Sequence, residues 1–218
     1  MSAAPSPAVA PLDFGHGPVE LEAFLEPTCP YSKRAFGKFE ALLAAVGAEN
    51  LTIRVRLHSQ PWHLFSGIVT RAVLAASATP DGRNRALRTM AGIYDRREDF
   101  EFDGHHSGAN MNRTPTDILN DISAIAGVDL SEAWKYDSVG RALRWHTRYA
   151  RQMGIHVSPT FAINRIVEPS MGSGESVEEW GAPPAPAGQG RAGRRRGAAQ
   201  PPAYPGYQTI RGSSGPRR

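Results

Sequence analysis

The chain has 218 residues, enough for one ordinary domain with terminal extensions. Its composition, with 40% hydrophobic and 21% charged residues, is that of a globular protein. No apolar run approaches the roughly 18 residues that a membrane-spanning helix needs, so a membrane is not expected as a partner. The single cysteine excludes an intramolecular disulfide and any zinc site built from several cysteines.

The net charge of +4 originates in the C-terminal segment. Residues 181–218 hold seven arginines and no acidic residue, which leaves 18 basic against 21 acidic side chains in residues 1–180. Eight glycines and seven prolines in the same segment predict a disordered basic tail. Nucleic acid is therefore not expected as a partner, except weakly through the arginine-rich tail.

The N-terminal segment, residues 1–18, is rich in alanine, proline and glycine and is predicted to be a disordered leader. It has neither the early positive charge and apolar stretch of a secretory signal nor the arginine-rich character of a transit peptide. We therefore expect a cytoplasmic location.

Strand and helix patterns alternate through the next part of the chain. Residues 19–25 form a strand candidate, and apolar spacings of three and four in residues 30–46 predict an amphipathic helix. Apolar and polar side chains alternate in residues 51–57, which predicts a second strand. Four segments with helical spacing follow between residues 62 and 153, and two short strands around a tight turn are predicted in residues 159–167.

The end of the domain carries the signature of a helix start. Ser176 and Glu179 have the spacing of a capping box, which predicts a last helix that begins there. That helix is expected to be truncated after Trp180, because Gly181 and a proline-rich segment follow. The order of the elements indicates an α/β domain in residues 19–180.

The lone Cys29 lies between the first strand and a helix that begins with Pro30. Unpaired backbone N–H groups and the positive end of the helix dipole meet at a helix start, and both lower the pKa of a thiol there. Ser32 lies on the same side of the first turn and could donate a hydrogen bond to the sulfur. The pattern indicates a reactive thiolate, with a small buried hydrophobic side chain as the alternative.

The segment Cys29-Pro30-Tyr31-Ser32 at a helix start, followed much later by Ser158-Pro159-Thr160-Phe161, resembles the active site of the thioredoxin fold. More narrowly, the sequence resembles the DsbA-like branch, in which a helical domain is inserted between the second and third strands. The resemblance covers residues 19–180 and places the insertion at about residues 62–153. It implies a thioredoxin-like α/β fold with an α-helical insertion, whose last helix is truncated in this chain.

The resemblance also implies the roles of individual residues. Cys29 would be the nucleophile, and Ser32 together with the helix N-terminus would stabilise its thiolate. Pro159 would be cis and packed against Cys29, since cis peptide bonds are nearly confined to proline. The residues expected to bind substrate are Pro30, Tyr31, Ser158, Pro159 and Thr160. No metal and no bound cofactor is expected.

The family motif is Cys-x-x-Cys, and Ser32 stands in the position of its second cysteine. A dithiol cycle within the chain is therefore impossible, and net exchange would need an external thiol. The predicted function is thiol–disulfide oxidoreduction or glutathione-linked exchange through Cys29, with glutathione as co-substrate and protein or small-molecule thiols and disulfides as partners. Two alternatives stay open: a kappa-like glutathione transferase and a non-catalytic binding protein with the same fold.

The remaining polar and aromatic clusters show no metal-binding spacing. His105 and His106 are predicted to lie in a surface loop. The segment of residues 60–63 either borders the substrate groove or packs Trp62 into the core. The acidic residues predicted to be solvated are Glu98, Asp99, Glu101 and Asp103. The aromatic residues predicted to pack the helical insertion are Trp134, Tyr136, Trp145 and Tyr149.

Overall fold

The computed structural model describes residues 7–104 and 106–181, and a five-stranded mixed sheet lies at its centre. The strands are β1 (Asp13–Gly15), β2 (Val19–Leu25), β3 (Leu51–Leu57), β4 (Thr160–Ile163) and β5 (Ile166–Val167). Their order in the sheet is β1-β3-β2-β4-β5. β2 runs parallel to β3 and antiparallel to β4, so it is the central strand.

Helices cover both faces of this sheet and build the insertion. They are α1 (Pro30–Phe36), α2 (Phe39–Val46), α3 (Ser66–Ser77), α4 (Gly82–Asp95), α5 (Pro115–Ala126), α6 (Asp137–Gln152) and α7 (Val177–Gly181). The single helix predicted for residues 30–46 is divided at Gly37, a residue type with low helix propensity. No helix in the described part of the chain is long and apolar enough to cross a membrane.

The helical insertion predicted between the second and third strands of the fold consists of α3 to α6. Most residues of α3 are buried, because its alanine-rich surface lets α4, α5 and α6 pack closely around it. α6 returns the chain to the sheet, where Ala150 and Ile155 pack against Phe24 of β2. The fold is therefore the expected α/β architecture with a helical insertion.

The prediction of a disordered leader in residues 1–18 is wrong for Asp13–Gly15, which form β1. β1 pairs antiparallel with β3, with Phe14 opposite Ile53, and Leu12 is buried. Phe14 also contacts the ring of Phe39 edge-on at a centroid distance of 5.6 Å. The strand is only three residues long and lies among prolines and glycines, so its sequence carries no strand periodicity.

The last described helix, α7, begins where the capping-box spacing predicts. The Glu179 N–H donates to Ser176 Oγ at 3.2 Å, and the Ser176 N–H donates to the Glu179 carboxylate at 2.8 Å. Trp180 packs its indole against Phe39 and Phe161. Residues 182–218, on which the predicted tail and the truncation of this helix depend, lie outside the described residues.

Replacement of Trp180 tests how much α7 contributes to the core. We expect Trp180→Ala to lower the free energy of unfolding by about 3–5 kcal/mol, because the indole is only 7% exposed and its removal leaves a cavity. Urea denaturation measures this loss. The control is Trp62→Ala, whose side chain is 52% exposed and which should change the stability by about 0.5 kcal/mol or less. Equal losses in the two variants would contradict this packing.

Candidate active site

Cys29 lies where the chain turns from the central strand β2 into α1. It is the N-cap residue of α1, and Pro30 is the first helical residue. Proline is tolerated there because a first-turn N–H has no partner within the helix. The thiol is buried beside the C-terminal end of β2. The local arrangement expected from the cysteine motif is therefore present.

The second motif lies directly beside this thiol. The Ser158–Pro159 peptide bond is cis, as the resemblance implies, and Thr160 begins β4 opposite Phe24 of β2. The Cys29 Sγ is 3.7 Å from the Ser158 carbonyl oxygen, to which the protonated thiol donates. Strand pairing thus joins two segments that are far apart in the sequence.

The other residues predicted for the site take different positions around the thiol. Ser32 is buried, and its hydroxyl oxygen accepts a hydrogen bond from the Glu26 N–H at 3.2 Å. Both the backbone N–H and the hydroxyl of Ser32 interact with the Cys29 sulfur. Tyr31 is exposed, with the Arg34 guanidinium 4.9 Å from its ring centroid. Tyr31 therefore lies at the rim of the site rather than in contact with the sulfur.

His63, which the sequence left undecided, proves to be a neighbour of the thiol. It lies in the loop after β3, close enough to Cys29 that the imidazole and the thiol shift each other's pKa. Its Nδ1 is 2.7 Å from Glu101 Oε1 and 3.8 Å from Glu26 Oε2. The Thr28 hydroxyl lies between these groups, 3.2 Å from Nδ1 and within hydrogen-bond distance of both carboxylates. A continuous polar chain therefore runs from Glu101 through His63 to Cys29.

This polar chain sets the charges at the site. Burial lowers the pKa of His63, but its contacts with Cys29 and with the Glu101 and Glu26 carboxylates outweigh burial and raise that pKa to about 10. Burial raises the pKa of Cys29, but hydrogen bonds from His63 and from the Ser32 N–H outweigh it and lower the pKa overall. The pair therefore favours an imidazolium beside a thiolate, the reactive form of cysteine.

Two acidic residues of the site were not recognised from the sequence. Glu101 was predicted to be solvated, and this prediction is wrong, because its side chain is only 12% exposed. The preceding residue, Phe100, is fully buried, and this places the backbone of Glu101 close to the protein interior. Glu26 is buried at the end of β2, and burial raises its pKa despite the nearby His63. A carboxylate directly after an apolar strand was the one local signal for Glu26.

The same acids are the described residues best suited to a metal ion, together with His63. Their ligand atoms lie within 4.8 Å of one another. These atoms already share hydrogen bonds around Thr28, so the arrangement is a hydrogen-bond network as it stands. His106 is exposed and packs its ring edge-on against Phe102, and His105 lies outside the described residues.

Comparisons with known proteins agree on the type of fold. A candidate protein-disulfide isomerase from Pseudomonas syringae has a similar structure, with a TM-score of 0.75, 49% identity, and coverage of 78% of this chain and 94% of that chain. A thioredoxin-like oxidoreductase from Silicibacter pomeroyi DSS-3 has a TM-score of 0.53, 21% identity and coverage of 73% and 83%. The thiol-disulfide exchange protein alpha-DsbA2 from Wolbachia pipientis has a TM-score of 0.56, 15% identity and coverage of 77% and 82%. No family model and no curated protein matches the sequence.

The polar chain predicts the pH dependence of Cys29 alkylation. In the folded protein we expect the rate to have its midpoint below the value of about 8.5 of a free thiol, because His63 and the Ser32 N–H stabilise the thiolate. His63→Gln should raise that midpoint, since it removes the neighbouring positive charge. The measurement is the pseudo-first-order rate of iodoacetamide reaction between pH 5 and pH 10, a range of about five units chosen to span both states.

His58 provides the matched control for this experiment. Its ring lies at the end of β3, and burial lowers its pKa, so it carries no charge that stabilises the thiolate near neutral pH. His58→Gln should therefore leave the alkylation midpoint unchanged. A wild-type midpoint at or above the free-thiol value, or a midpoint that His63→Gln does not move, would show that His63 does not activate Cys29.

Proposed function

Because this chain belongs to the DsbA-like family of thioredoxin-fold disulfide isomerases and oxidoreductases, we propose that it performs thiol–disulfide exchange through Cys29 as a single active thiol. The observation that supports this most is the contact of the buried thiol with both His63 and the Ser158 carbonyl. The first contact favours the thiolate. The second places the sulfur beside the segment that precedes β4, where an extended substrate can lie.

In the proposed reaction, the Cys29 thiolate attacks one sulfur of a substrate disulfide. A bond forms between Sγ and that sulfur, the substrate disulfide bond breaks, and the second substrate sulfur departs as a thiolate. The His63 imidazolium is positioned to give its proton to the departing sulfur. The products of this half-reaction are a mixed disulfide at Cys29 and a free substrate thiol.

Release from the mixed disulfide is where this chain differs from a dithiol enzyme. Ser32 occupies the position of a resolving cysteine and has no sulfur that can attack. We propose that an external thiol such as glutathione gives its proton to the now neutral His63 and attacks the substrate sulfur as a thiolate. The bond between that sulfur and Sγ breaks, and the Cys29 thiolate departs beside the restored imidazolium. The net change is the exchange of one thiol partner in a disulfide for another, and the chain itself returns to its reduced state.

The rim of the site supports polypeptide thiols and disulfides as substrates. Three large side chains around the thiol are exposed, and each comes from a different segment of the chain: Tyr31, Trp62 and Val157. Exposed apolar groups around a buried reactive atom suit the side chains of an extended polypeptide. We also propose a cytoplasmic site of action, since a glutathione-rich reducing compartment supplies the external thiol.

The missing resolving cysteine gives a direct test with oxidised glutathione. The wild-type chain should accumulate a protein with one glutathione adduct, which non-reducing intact mass spectrometry detects. Ser32→Cys should lose this adduct, because the new thiol displaces glutathione and closes a disulfide with Cys29.

Ser170→Cys is the control for adding a second thiol. Ser170 lies in an exposed loop after β5, so its cysteine variant should keep the adduct at Cys29. A wild-type protein that forms no adduct, or an adduct that persists equally in Ser32→Cys, would be incompatible with exchange through Cys29.

A further inference from the structure

α6 carries a positively charged face that the proposed reaction does not use. Its 16 residues include four arginines and only one acidic residue, Asp137. Arg141, Arg144 and Arg148 recur at spacings of three and four and therefore lie on one side of the helix. Together with Trp145 they form what we call the α6 basic face. They line a cavity of about 480 Å³ on that side of the helix.

The charges of the α6 basic face are free to bind a partner. Nine arginine or lysine ion pairs with carboxylates link residues of the described part of the chain, and none involves Arg141, Arg144 or Arg148. Residues 1–180 carry a net negative charge, so this local excess of positive charge is not a general property of the domain. Unpaired guanidinium groups in one row attract an anionic partner.

The side chain of Trp145, the aromatic residue of the face, is held in place by the residues packed beneath its ring. Trp145 is 46% exposed and stacks on Tyr149 at a centroid distance of 5.0 Å. The Arg56 guanidinium lies 4.9 Å from the Trp145 ring and pairs at 2.7 Å with the buried Glu22. The Tyr149 hydroxyl donates to the same carboxylate. The prediction that Trp145 packs inside the insertion is therefore wrong, and a preordered indole is offered to a partner instead.

Chain connectivity keeps this face near the thiol. Gln152, which also lines the cavity, precedes Ser158 by six residues, and six fully extended residues span at most about 20 Å. Ser158 in turn contacts Sγ at 3.7 Å. Arg148 and Arg144 lie about 6 and 12 Å further along the helix axis, so a polypeptide bound at Cys29 can reach them with a segment of about eight to ten extended residues.

We propose that the α6 basic face selects polypeptide substrates that carry a cluster of acidic residues several positions away from the reacting cysteine. This inference rests on the proposed function, since it names the substrate class of the same site. The guanidinium groups pair with the carboxylates, and Trp145 covers an apolar side chain between them. Polypeptides are favoured over nucleic acid because the face adjoins a thiol site, and only a polypeptide brings both a sulfur and an anionic segment.

The test compares three synthetic peptides that differ only in a distal segment. Each contains one cysteine in a disulfide with a chromophoric thiol and, eight residues away, four glutamates, four glutamines or four lysines. We expect kcat/KM for the glutamate peptide to exceed that for the glutamine peptide by about tenfold at low salt, and the lysine peptide to react more slowly than either. The preference should shrink in high salt, because mobile ions screen exposed charges.

Paired charge-reversal variants locate the effect. Arg144→Glu combined with Arg148→Glu should abolish the preference for the glutamate peptide and leave kcat/KM for the glutamine peptide unchanged. The control combines Arg88→Glu with Lys135→Glu, two exposed positions off α6 that change the net charge equally, and it should keep the preference. A preference that survives in the first pair, or is lost equally in both pairs, overturns the assignment.

Direct binding separates this inference from the proposed function. Fluorescence anisotropy of a labelled glutamate peptide without cysteine should show binding to the full chain carrying Cys29→Ala, and weaker binding when the Arg144 and Arg148 reversals are added. If the wild-type chain exchanges with none of the three peptides, such binding would refute the exchange reaction and retain the face. Exchange at equal rates with all three peptides would refute the face and retain the exchange reaction. A single-stranded oligonucleotide of equal charge that binds more tightly than the peptide at this face would also overturn the choice of partner.

Discussion

The pairing of the central strand β2 with a strand on each side determines where Cys29 lies relative to His63 and Ser158. Leu25 at the end of β2 is opposite Leu57 of β3, and Phe24 is opposite Thr160 of β4. The chain continues from the end of β2 into Cys29 and from the end of β3 towards His63. Pro159 precedes the first residue of β4. Because a slip of one residue would turn each strand's side chains to the other face, the register of the sheet also fixes the contacts of the thiol.

Buried charged side chains on β2 and β3 also fix the position of α6 against the sheet. Glu22 of β2 pairs with Arg56 of β3, and its carboxylate also accepts from Tyr149 of α6. The neighbouring His146 stays neutral near physiological pH, since burial and then Arg56 lower its pKa to about 3, and its Nδ1 accepts from the Leu57 N–H. A buried ion pair is weak evidence for net stability, and in some proteins it specifies one packing arrangement. Here these contacts hold the inner side of α6 in one register, which leaves its arginines outward.

Local patterns in the sequence were sufficient for the strands, the helical insertion and the cysteine motif, because each has a period or a cap that a short window contains. They were insufficient for β1, which is too short to show a period, and for Glu101. The contact of Glu101 with His63 depends on a turn that buries Phe100, and no spacing along the chain encodes it. Trp145 was misplaced for a related reason: helical spacing identifies a face, but whether an aromatic residue on it is covered depends on what packs there.

The serine at position 32 connects the site to the surface beside it. Serine keeps the hydrogen bonds that a cysteine there would support, so the thiolate of Cys29 is still stabilised, but it cannot displace a bound partner. In the proposed reaction, the mixed disulfide at Cys29 therefore persists until an external thiol arrives, and tight non-covalent binding would add little to its lifetime. Partners would then be selected by how fast they associate with the protein, before the mixed disulfide forms. Exposed charges act mainly on the association rate, so a basic face within reach of the thiol is the type of surface that a single-cysteine exchange site can use for selection.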